Sequence, residues 1–136
     1  MRTLLVCFGI LMFLLAGCGG PTVVLDEERM LEIGECCDWY REYSSLETIT
    51  VEFEVTEGGE VDIFWLDEEN YEKCRNGEPF EYYVPGSALK IKSMKKSFSV
   101  PEDGTYYVVV DNAYRGYEGE AEPTGRVSFH IKITVE

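Results

Sequence analysis

Ile49-Thr50-Val51-Glu52-Phe53-Glu54-Val55-Thr56, then Glu57-Gly58-Gly59-Glu60, then Val61-Asp62-Ile63-Phe64-Trp65-Leu66: this stretch decides the fold class. In its first run every odd residue is apolar and every even one polar, which is the period of a strand with one face on a core. The Gly-Gly pair supplies a turn. The second run starts alternate, ends fully apolar, and reads as the hairpin partner of the first. The same period closes the chain, where Val127, Phe129, Ile131, Ile133 and Val135 alternate with Ser128, His130, Lys132 and Thr134. That pattern puts His130 on a polar face, as a solvent-facing strand residue.

Between these strands the signals change. Asp67 can cap a short helix, Glu68 and Glu69 suit its positive end, Lys73 and Arg75 its negative end, and Gly77 can stop it. Residues 80–84 and 95–100 read as strands around a loop broken at Pro85-Gly86. Pro101-Glu102-Asp103-Gly104 is a turn into Thr105-Tyr106-Tyr107-Val108-Val109-Val110, a run apolar enough for a central strand buried on both sides. Residues 112–125 are polar with three Gly and one Pro, a long surface loop of the kind that is often functional. Upstream, 29–33 and 36–43 are weaker strands. About eight short strands with turns between them give an all-β, antiparallel, jelly-roll-like sandwich carrying one short helix.

The chain has 136 residues, the size of one domain, and a formal net charge of −14. Acids outnumber bases by 26 to 12, which argues against a nucleic-acid partner, since phosphate binding needs clustered Lys and Arg. Seven Phe, nine Tyr and two Trp in patterned runs argue against disorder.

The N-terminus reads as an address. One Arg precedes an apolar run ending at Leu15, too short to span a bilayer and suited to a secretory signal peptide. Leu15-Ala16-Gly17-Cys18 resembles the lipobox of prokaryotic lipoproteins. That resemblance implies cleavage after residue 17, lipid on Cys18 and attachment to a membrane from its extracytoplasmic side. The expected organisation is a signal peptide over 1–17, a lipidated Cys and tether over 18–25, and the sandwich over 26–136. An anionic bilayer repels so acidic a body, so the domain stands off the surface.

In an exported chain thiols tend to pair. Neighbouring strand residues point to opposite faces, so at most one of Cys36 and Cys37 faces Cys74 comfortably. Cys37 shares parity with Trp39 and Tyr43, the more apolar set, and the expected disulfide is Cys37 with Cys74, contributing roughly 4 kcal/mol in the chain-entropy model. One thiol is then left over.

Residues 98–112, Phe98-Ser99-Val100-Pro101-Glu102-Asp103-Gly104-Thr105-Tyr106-Tyr107-Val108-Val109-Val110-Asp111-Asn112, preceded by Val61 to Asp67, resemble the secreted β-sandwich modules of the bacterial pre-peptidase C-terminal type and the Golgi-dynamics-like sandwiches. The resemblance covers residues 45 to 136 and implies a non-catalytic binding or accessory domain. Such modules are usually appended to a larger enzyme or receptor, and this chain carries no such body.

Signatures of catalysis are sparse. Ser87-Ala88-Leu89-Lys90 and Ser93-Met94-Lys95-Lys96 match Ser-x-x-Lys, but without the companion motifs of acylating enzymes. No Gly-x-Ser-x-Gly elbow, phosphate loop or dinucleotide fingerprint is present. Two constellations suggest binding instead. Asp111, Asn112, Glu118, Glu120 and Glu122 offer oxygens that would suit calcium, although the EF-hand pattern is missing and a solvated acidic loop accounts for the same letters. Tyr40, Tyr82, Tyr114 and Tyr117 fall at outward or loop positions and suit a recognition surface. The expectation is therefore a lipid-anchored, non-enzymatic module with a protein partner in the envelope, and the alternative is carbohydrate binding through the tyrosines.

Overall fold

The computed structural model describes residues 20–136, so the expected signal peptide and the expected lipidation site Cys18 lie outside the described residues. Two four-stranded antiparallel sheets pack face to face. The first runs β1 (Thr22–Leu31), β8 (Val127–Val135), β3 (Ile49–Glu57), β6 (Ser93–Phe98). The second runs β2 (Cys36–Tyr43), β7 (Gly104–Asp111), β4 (Val61–Asp67), β5 (Ala88–Ile91). Among the described residues one α-helix, α1 (Glu68–Arg75), lies outside the second sheet, with Asp67 Oδ1 accepting the Asn70 N–H at 2.8 Å as its N-cap. The chain is an all-β sandwich with a short helix.

The alternation in the sequence becomes the core between the sheets. Ile49, Val51 and Phe53 of β3 and the odd residues of β8 meet Val61, Ile63 and Trp65 of β4 and Tyr106, Val108 and Val110 of β7, all buried. Aromatic rings lock the layers: Trp65 stands edge-on to Phe98 with centroids 4.9 Å apart, and Trp39 is edge-on to Phe129 at 6.4 Å.

Four expectations change. β3 and β4 are not a hairpin: β3 pairs with β6 and β8, β4 with β5 and β7, and Glu57 to Glu60 carries the chain from one sheet to the other. Gly58 takes φ +107° in that crossing, and a Cβ there would lie 2.4 Å from the Arg126 carbonyl oxygen. Residues 80–84 are not a strand, because Tyr83 N–H bonds to Trp65 O and the chain then coils through a 3₁₀ turn at Val84–Gly86. The strand on that edge is β5, within the stretch expected to be a loop. β1 starts at Thr22, opposite Val135, so residues 22–25 belong to the sandwich and not to the tether.

The second sheet has two apolar faces. Phe64 and Leu66 of β4 and Val109 of β7 point outward and are buried beneath Cys74 of α1 and Phe80. Tyr71 of α1 stacks on Tyr107 of β7 with centroids 3.7 Å apart, and its hydroxyl donates to Asp38 Oδ2 at 3.0 Å. The sandwich therefore carries a third layer, formed by α1, residues 76–82 and the loop 112–125. That layer holds the site.

Candidate functional site

β7 puts Asp111 in register with Cys36 of β2 on one side and Asp62 of β4 on the other. Directly paired strand residues share a face, so these three form a row on the outer side of the second sheet. Both carboxylates are 1% exposed. Burial raises both their pKa values, against the pull of backbone N–H bonds at Asp62 and of Arg115 at Asp111.

The loop 112–125 is fastened to this row. Asp62 Oδ1 accepts the Ala121 N–H at 2.9 Å and the Lys90 N–H at 2.8 Å. Asp111 binds the Arg115 guanidinium through Nε at 2.8 Å and Nη2 at 3.4 Å. Glu120, also buried, turns Oε1 back onto the Arg115 and Gly116 N–H groups at 2.9 and 2.5 Å. Asn112 ties the start of the loop to its end, its Nδ2 donating to Gly125 O at 3.0 Å and Glu32 O at 3.1 Å. Gly116 and Gly119 take φ +91° and +83° to let the chain fold back on itself.

Pinned this way, the loop shapes a cleft of about 490 Å³ against the turn 77–80. Tyr114, 66% exposed, Arg115 and Tyr117 form one wall, and Pro79 and Phe80 the other. The Tyr117 hydroxyl donates to Phe80 O at 3.0 Å and accepts the Phe80 N–H at 2.9 Å, while Arg115 lies 5.7 Å over the Phe80 ring. The cleft is thus preformed, with one free aromatic ring beside a guanidinium.

The expected calcium set is not brought together. Asp111 is already ion-paired, the Asn112 amide nitrogen is committed to carbonyls, and Glu118 and Glu122 are exposed away from buried Glu120. Among the described residues no group of three or more His, Cys, Asp and Glu side chains is placed to hold a metal ion. The tyrosines separate as well. Tyr114 and Tyr117 line the cleft and Tyr82 packs behind it on Phe64, but Tyr40 lies on β2 against Tyr107, apart from the cleft lining.

The expected Cys37–Cys74 disulfide is also corrected. All three described thiols are free. Cys37 packs against the core between the sheets, as its parity foretold, whereas Cys74 is buried in the outer layer on the opposite face of the same sheet. Of the two Ser-x-x-Lys serines, Ser87 is structural: it is buried, accepts the Trp65 N–H at 2.9 Å and donates to Tyr83 O at 2.8 Å. Ser93 is two strands from His130, with Glu54 between them in register. His130 is half-exposed and bonded to Asp26.

Asp62 is the residue that sequence reasoning missed. A signal existed: of the two charged side chains of β4 it is the one set within the apolar run, whereas Asp67 ends the strand. No known family model matches the chain, and no curated protein matches it.

Proposed function

We propose that this chain is a membrane-anchored extracytoplasmic lipoprotein whose sandwich is a non-catalytic interaction module, docking a protein partner of the envelope at the Tyr114–Arg115 cleft. The observation that carries this reading is the preformed cleft itself. Tyr and Arg are the side chains that most often anchor protein interfaces, and here loop ordering is complete before any partner arrives.

The direction of the strands supports it. β1 starts at Thr22, four residues after the lipobox Cys18, and its ten residues run roughly 30 Å to Leu31. The loop 112–125 joins Asp111 to β8 at Val127, which pairs with Leu31, at the far end from Thr22. A lipid on Cys18 would therefore leave the cleft facing away from the bilayer. The acidic surface helps to hold the body off anionic headgroups.

The test combines two variants in native membranes. Cys18→Ser should release the protein to the soluble fraction, because acyl chains alone hold it. Tyr114→Ala should keep it membrane-bound and equally stable, since the ring is exposed, but lose a stoichiometric partner that the unaltered chain captures. Unchanged fractionation of Cys18→Ser would sink the anchor. Undiminished capture by Tyr114→Ala would sink the docking site, and capture of polysaccharide in place of protein would favour a carbohydrate ligand.

A further inference from the structure

Cys36 and Cys74 belong to the same layer. Cys36 is the first residue of β2 and faces outward in the row with Asp111 and Asp62. Cys74 is in the last turn of α1, buried against the outer face of β4 and β7. The Arg115 guanidinium lies against the first of them, its Nη2 4.0 Å from Cys36 Sγ. Helix and strand are already joined there: Tyr71, one turn before Cys74, bonds Asp38, two residues after Cys36 on the same face of β2, at 3.0 Å.

We propose that Cys36 and Cys74 close a disulfide that staples α1 and the outer layer to strand β2, leaving Cys37 as the free thiol in the core. Its occurrence in the cell rests on the extracytoplasmic reading above; the pairing does not. The oxidant is a disulfide, of a small thiol or of a protein. The exposed Cys36 loses its proton and attacks one sulfur of that disulfide, expelling the first thiolate and leaving a mixed disulfide. Cys74, deprotonated in turn, attacks the Cys36 sulfur and expels the second. Two protons and two electrons leave the chain, and the oxidant becomes two thiols. Burial raises the Cys74 pKa to about 11, and the protein packed around the otherwise exposed Cys36 desolvates it enough to raise its pKa too, with Arg115 opposing in both cases, so closure should quicken as pH rises from neutral.

The test has two arms on the full chain in detergent. In one, the protein is isolated from an exporting cell without reductant. In the other, it is reduced and then treated with glutathione disulfide. Peptide mapping after alkylation should show a Cys36–Cys74 link, a mass lower by two hydrogens, and Cys37 alkylated once the chain is denatured. The link should survive Cys37→Ser, vanish in Cys36→Ser and Cys74→Ser, and raise the melting temperature by roughly 10 °C. Closure with glutathione but not in the exported chain would support the pairing and count against the export reading. Stable glutathione on Cys36 with Cys74 still free, or a link through Cys37, would overturn the pairing.

Discussion

Asp62→Ala is expected to destabilise the folded chain by roughly 3 kcal/mol, whereas Asp62→Asn should melt no lower than the unaltered protein at neutral pH. The reason is the division of labour between the two oxygens. Oδ1 is the acceptor for the Ala121 and Lys90 N–H groups, and alanine would strand both donors in a buried site at about 1–3 kcal/mol each. Oδ2 is buried with no partner. Asparagine keeps the first role, removes the charge, and offers N–H where the orphan oxygen stood, beside Glu120, whose Oε2 is also unpartnered. Thermal melts of the two variants decide it. Equal losses in both would mean that the carboxylate charge, and not its two hydrogen bonds, holds the loop.

The same burial sets a pH dependence of unusual sign. Asp62 and Asp111 both have pKa values raised in the folded state, so the folded chain holds their protons more tightly than the unfolded one. Their contribution is unfavourable above the raised values and fades as pH falls toward 3.8, the ordinary value. From this row, stability should therefore rise on mild acidification. Asp103 works the other way, its pKa lowered by the Ser45 N–H, so its smaller, exposed contribution is lost as pH falls. The acid-side gain should shrink in Asp62→Asn.

The second large effect is at Asn112. Asn112→Asp should cost more than Asn112→Ala, roughly 4 against 2 kcal/mol. The amide nitrogen donates to the Glu32 and Gly125 carbonyls and lies 3.4 Å from the Leu31 carbonyl oxygen, at a side chain only 2% exposed. Alanine leaves those acceptors without a donor. Aspartate also sets an anion against those carbonyl oxygens, lone pair facing lone pair in a dry site. A side chain that served as a cation ligand would give the reverse order, with aspartate tolerated best. Chemical denaturation of both variants, with and without calcium, separates the two roles.

Much of the fold was legible because its strands keep a strict period of two, which β8 does over its whole length and β3 does as far as the register shift after Val55. Period reports which face a residue takes, and not which strand lies beside it. That is why β3 and β4 read as a hairpin. The clue was in the outward Phe64 and Leu66, which need a cover that a two-layer sandwich lacks. The loop 112–125 was legible as a long loop. Its ordering was not, because its anchor Asp62 is 59 residues from Ala121 in sequence. The cysteines follow the same logic: parity placed Cys37 on the inner face correctly, but the helix carrying Cys74 packs on the outer one.

The most direct measurement is photo-cross-linking in native membranes, with a photoreactive amino acid in place of Tyr114 in one chain and of Leu46 in another. Leu46 is 92% exposed in the turn between β2 and β3, near the Thr22 end, and serves as the control surface. A single protein adduct from position 114 and none from position 46 is the expected result. An adduct from position 46 alone, or none from either, would contradict a partner docked at the cleft.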